Sequence, residues 1–222
     1  MHGGFVPTKF ITGRGGDGLI RQALVGVDSN ANRQLELKEV RTLTDENGYF
    51  AFEIQESNLN PIIMSGGFDT SLGVPFTGHF IASMPSSTTT QMITPLTTLL
   101  ALGADKFTLA TLLALPLELD WNQLDPALDF HFFRAGVQIK TMTTQLKIIT
   151  GAPRFLVYKA VASIQNISVA SLQDMASSLA SGDIAREDAV LMHESFRAIS
   201  QAETRESVIA LEMLALDSLL PN

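Results

Sequence analysis

Polar and apolar positions follow two different periods along the chain, and the change falls at Thr94. Before it, short apolar runs rich in β-branched residues alternate with Gly, Ser, Thr, Asn and Asp, the pattern of strands and turns. Residues 19–27 (LIRQALVGV), 48–54 (GYFAFEI), 61–67 (PIIMSGG) and 78–84 (GHFIASM) predict strands. In the second of these, Tyr49, Ala51 and Glu53 alternate with Phe50, Phe52 and Ile54, as a half-buried strand requires. Asn47 and Gly48 precede it and tolerate positive φ, so they predict a turn.

From Thr94 onward Leu, Ala, Met, Gln and Ser dominate, and apolar residues recur every three or four positions. Thr94 followed by Pro95 predicts a helix start, with a capping hydroxyl and a ring at the first helical position. Val208, Leu211, Ala215 and Leu219 fall on one side of a last helix. Further boundaries are signalled at Asp105, at Asp125 with Pro126, at residues 151–153, at Ser168, at Gly182 with Asp183, and at Thr204. Five or six helices follow.

The expected fold is therefore α+β, an N-terminal small β-sandwich followed by a C-terminal α-helical bundle. Its expected parts are a flexible arm over residues 1–17, a β-domain over 18–93 and a helical domain over 94–222. The short link 84–93 and the Leu- and Met-rich helices predict that the halves pack together and melt together. The tract 86–91, SSTTTQ, reads as the loop between them, with glycan-bearing or adhesive contacts as the alternative to a plain loop.

The arm offers Phe5, Val6, Phe10 and Ile11 as strand-like residues, joined to the rest through the Gly-rich stretch 13–18. It reads as a mobile tail, or as an edge strand that pairs within the chain or with another copy, Pro7 limiting the pairing to one side. Gly13, Gly15 and Gly18 also match G-x-G-x-x-G. That fingerprint needs a following crossover helix, and here the apolar run 19–27 meets a polar loop at Asp28, so dinucleotide binding is rejected.

Composition narrows the classes of function. With 222 residues, 45% of them hydrophobic, the chain can build a sizeable core. Lys and Arg number 15 against 23 Asp and Glu, and this net charge of -8 disfavours nucleic acid and anionic lipid. Absence of cysteine removes disulfides and thiolate metal sites. The longest apolar run, 109–117, is interrupted by Pro116 and is too short to span a bilayer, so no membrane insertion is expected. The N-terminus lacks a signal-peptide pattern, so a leader for a secreted chain would have been removed or lie elsewhere. The histidines, His2, His79, His131 and His193, show no ligand spacing, and no catalytic motif is found. Phe130, Phe132 and Phe133 read as core in preference to a ligand-binding patch.

One stretch does carry chemistry. Residues 28–39, DSNANRQLELKE, place oxygen donors at the first, third, fifth, seventh, ninth and twelfth positions of a calcium loop: Asp28, Asn30, Asn32, the Gln34 carbonyl, Glu36 and Glu39. A hard cation wants six to eight oxygens, and a tight loop of alternating donors can gather them. The sixth position, usually Gly, is Arg33, which must accept a strained backbone and weakens the expected affinity. A solvated turn whose Asx side chains bond their own backbone is the competing reading.

The order of these segments resembles prealbumin-like or Cna-B-like calcium-binding β-units of large secreted bacterial surface proteins and adhesins. The resemblance is carried by residues 17–54, with their Asx-rich loop and T-D-x-N-G turn, then by 65–84 and by the T-P-L-T-T-L stretch 94–99. It implies calcium as cofactor, an extracellular or cell-surface location, and a non-catalytic structural or adhesive role. Implied partners are neighbouring surface-protein domains or other copies of the chain, with self-assembly through the arm. The alternative from another class is a small-molecule-binding protein or enzyme whose pocket lies between the two halves.

Overall fold

The computed structural model describes residues 6–16, 19–86, 90–180 and 182–219. Among them ten strands in three sheets precede seven helices, so the chain is mixed α+β with its strands first. It divides into two compact units, residues 1–97 with 120–125, and residues 98–119 with 126–222.

In the first unit a three-stranded sheet has β1 (Thr8–Gly15) at its centre. On one side lies β5 (Tyr49–Gln55), antiparallel, and on the other β10 (Thr90–Ile93), parallel. A four-stranded antiparallel sheet runs β4 (Arg41–Leu43), β3 (Leu24–Val27), β6 (Ile62–Ser65), β9 (His79–Ala82). A small third sheet joins β2 (Ile20–Arg21), β7 (Phe68–Asp69) and β8 (Val74–Pro75). The alternation read in residues 49–54 is present, with Phe50, Phe52 and Ile54 buried and the intervening residues exposed. Gly48 turns the chain into β5 at φ 77, while the Asp45 side chain accepts the N–H groups of Asn47 and Tyr49.

Residues 8–15, expected within a flexible arm or at an edge, instead form the middle strand of their sheet. Pro7 stands just before the first paired residue, so its missing N–H costs no ladder bond, and its carbonyl accepts from Glu56. The glycines read as a linker serve close packing. A Cβ on Gly13 would lie 2.0 Å from the Gln91 carbonyl oxygen. Residues 1–5 and 17, also assigned to the arm, lie outside the described residues, as does residue 18, assigned to the β-domain.

Asp125 is a second departure. Expected to open a helix, it belongs to the first unit and pairs with Arg14 at 2.7 Å, both side chains being nearly buried. Arg14 also donates through Nε to the Asn47 carbonyl and covers the Tyr49 ring at 4.7 Å. Its three contacts bind β1, the turn before β5 and the 120–125 segment together.

The chain leaves the first unit within α1 (Pro95–Ala101), where Thr94 and Thr97 cap each other reciprocally. In the second unit α2 (Lys106–Leu113) is capped by Asp105. The long α3 (Phe130–Thr150) starts at Asp129, four residues beyond the expected Asp125 boundary, and ends at Gly151 with φ 65. There follow α4 (Arg154–Ala162), α5 (Val169–Ala180), α6 (Arg186–Gln201) and α7 (Arg205–Asp217), the last opened by a Thr204–Ser207 capping box. All four neighbour α3, which explains why that helix is buried along most of its length. Phe133 and Val137 of α3 pack with Ile199, Ala202 and Val208 in one apolar cluster, and Phe132 is buried too. Within this interior Lys140 of α3 pairs with Glu212 of α7 at 2.9 Å. No described helix is long and apolar enough to cross a membrane.

Candidate metal loop

Residues 28–40 connect β3 to β4, two antiparallel neighbours. Gly26 lets the strands close at the loop's base, since a Cβ there would lie 2.4 Å from the Val40 carbonyl oxygen. Val27 N–H donates to that same carbonyl, and Asp28 N–H donates to Pro61. The loop therefore starts and finishes on fixed backbone.

Asp28 is buried, 1% exposed, although it carries a carboxylate. Its two oxygens accept from the N–H of Asn32 at 3.1 Å and of Arg33 at 2.8 Å, which satisfies the group by bending the chain around it. Ala31 at φ 58 and Arg33 at φ 64 provide the bend in the left-handed region, a conformation that costs a side-chain-bearing residue about 1 to 2 kcal/mol. Asn30 Oδ1 accepts from Asn32 N–H, and Asn32 Oδ1 accepts from Gln34 N–H, at 3.0 and 2.8 Å. These are successive Asx turns.

Glu39 latches the far end. Its oxygens accept from Ser29 N–H at 2.6 Å and Glu36 N–H at 2.9 Å, so one carboxylate joins the second, ninth and twelfth positions. The Glu36 carboxylate accepts from the Asn32 side-chain amide at 2.8 Å. Gln34 is exposed. All six residues singled out by spacing thus lie in one hydrogen-bonded loop, but Asp28, Glu36 and Glu39 are not gathered about a common point. Among the described residues, no group of three or more His, Asp or Glu stands ready to hold a metal ion. The sequence reading missed Ser29, whose backbone takes part in the latch, and the left-handed Ala31. Neither residue type signals its role.

Comparison with protein-family models finds no match, and neither curated proteins nor solved structures give one. The resemblance to prealbumin-like and Cna-B-like units therefore rests on the order of the sequence motifs alone.

Proposed function

We propose that residues 28–39 form a low-affinity calcium site that stabilises the first unit of a non-catalytic, extracellular structural or adhesive module of a bacterial surface protein. The observation that carries this reading is the backbone path from Asp28 to Arg33, in which a buried carboxylate and two left-handed residues curl the chain through consecutive ligand positions. A carboxylate offers about four lone-pair sites, and two N–H groups leave room for a cation on both Asp28 and Glu39. Asn30 and Asn32 each keep acceptor capacity on Oδ1, and Gln34 would supply its carbonyl. Glu36 must turn away from Asn32 to join them. That rearrangement, with two uncharged ligands in the set, sets the expected Kd on the order of 10⁻⁴ to 10⁻³ M.

Two finer points of architecture belong to the same proposal. The three- and four-stranded sheets pack as a β-sandwich, supported by β4 lying beside β5 and β9 beside β10. Helices α3 to α7 form a bundle, supported by the burial of α3 among the other four. The surface location and adhesive role draw on the sequence resemblance.

The competing reading is a self-closed turn in which Asp28 and Glu39 serve only their own backbone, and the four amide bonds they accept favour it. Calorimetric melting with calcium or with chelator separates the two. At calcium ten to a hundred times Kd, the calcium reading predicts a gain of about 1.4 to 2.7 kcal/mol. Glu36→Gln adds discrimination, because the Glu36 carboxylate accepts no backbone N–H in the loop: it should weaken calcium binding and leave the calcium-free melt alone. Melting that is identical with calcium and with chelator would establish the turn.

A further inference from the structure

We propose that the first unit also binds a small neutral polyhydroxylated ligand, a monosaccharide or a polyol of similar size, in a polar cleft separate from the 28–39 loop. The cleft, about 260 Å³, is bounded by residues 83–86, the start of β10 and the turn at 120–123. It is smaller than the roughly 300 Å³ at which drug-sized pockets begin, which suits a single sugar ring. None of residues 28–39 lines it, so the inference is independent of the cation loop.

The chemistry of the walls selects the ligand. Hydroxyls come from Ser83, Ser86 and Thr90, side-chain amides from Gln91, Asn122 and Gln123, and a single carboxylate from Asp120. Among the described residues no Lys, Arg or His lines the cleft, whose one charged lining side chain is the Asp120 carboxylate. One carboxylate is too little for a divalent cation that wants six or more oxygens with compensating charge. Amides and hydroxyls present donors and acceptors side by side, as neighbouring sugar hydroxyls do, and a carboxylate adds a strong acceptor. Met84 and Pro85 supply apolar surface for the C–H face of a ring.

The polar groups are held in place before any ligand arrives. Gln91 is only 2% exposed, and its Nε2 donates to the Met92 carbonyl at 2.9 Å and to Asn122 Oδ1 at 3.3 Å. Asp120 Oδ1 accepts from Asn122 N–H and Nδ2, and Oδ2 accepts from Gln123 Nε2 at 3.0 Å. Buried Trp121 anchors this turn, and Met92 N–H donates to the Asn122 carbonyl at 2.7 Å. The Pro85 carbonyl accepts from the buried Lys9. Such bracing lowers the ordering cost that a weak ligand must overcome.

The test is an NMR titration of the ¹⁵N-labelled chain, in chelator, with glucose, galactose, mannose, N-acetylglucosamine and glycerol in turn. At least one of these should shift the side-chain amide signals of Gln91, Asn122 and Gln123 saturably, with Kd on the order of 1 mM. Gln123→Ala, at an exposed position, and Asp120→Asn, which keeps the shape, should each weaken binding by about tenfold or more while the rest of the spectrum stays that of the folded chain. The proposal is overturned by an absence of saturable shifts across the panel, or by equal binding in both variants. It is equally overturned if inorganic phosphate, or calcium chloride added to a sample free of chelator, and no sugar, saturates these signals.

Discussion

Gly13 shows how a single missing side chain sets the spacing of a sheet. A Cβ there would meet the Gln91 carbonyl oxygen at 2.0 Å and the Phe50 ring at 2.5 Å, and the carbonyl belongs to the backbone of a paired strand. Gly13→Ala should therefore cost about 3 kcal/mol, at the high end for overpacking, measured by urea unfolding. At Gly15 the obstacle is the Met64 thioether, a flexible side chain, so Gly15→Ala should cost clearly less. Equal losses at the two positions would mean that the Gln91 strand yields as readily as a methionine. The G-x-G spacing was legible in the sequence. Its meaning was not, because a glycine chosen for flexibility and one chosen for close approach look the same until the neighbour is known.

Among the elements, helix starts were the most legible. Thr94, Asp105, Ser168 and Thr204 each stand next to a helix start, because capping needs only a side chain and an N–H two or three residues on. Asp105 accepts from both the hydroxyl and the N–H of Thr108, and these bonds hold its carboxyl below the ordinary aspartate range. The cap's contribution is thus complete above the ordinary aspartate value and is lost as pH falls through the lowered folded value. Amide exchange at Thr108 should accelerate over that acidic window relative to Asp105→Asn, in which no such titration occurs. By contrast, Lys140 and Glu212 gave no sign in the sequence that they meet. Their side chains are 8% and 2% exposed, so removing one deprives the other, a buried charge, of its ion-pair partner: Glu212→Ala should cost about 3 to 5 kcal/mol. Replacing both, Lys140→Met with Glu212→Leu, should recover most of that loss in urea unfolding; failure to do so would show that the pair supplies net stability.

For the whole molecule, the division into units does not follow the chain. The first unit takes residues 120–125 from within the helical half, so the backbone crosses between units at 97/98, at 119/120 and at 125/126. Pulling the 120–125 segment from its unit breaks the Arg14–Asp125 ion pair and frees Trp121, and it releases both chain ends that enter the second unit. We expect one cooperative thermal transition. Trp121, the sole tryptophan, reports on the first unit by fluorescence, while far-UV circular dichroism reports mainly on the helices. Coincident midpoints are the expected result, and two separated ones would show that the three crossings do not couple the units.

By itself the sequence determined the α+β order, the alternation of β5, most helix boundaries and the candidate ligands of the 28–39 loop. Each of these depends on residues within a dozen positions of one another, where side-chain period and hydrogen-bonding reach decide the outcome. Only the tertiary structure decided that residues 8–15 lie in the centre of a sheet, because the partners that pair with Thr12 are Ala51 and Thr90. The same holds for Asp125, which resembles a helix start locally but is held by Arg14, 111 residues away in sequence. A buried ionic partner outweighs a capping preference, since an unpaired buried charge costs several kcal/mol and an absent cap about one. In the loop, too, the spacing of oxygens was local information, whereas their convergence depends on where the bound amides draw each carboxylate.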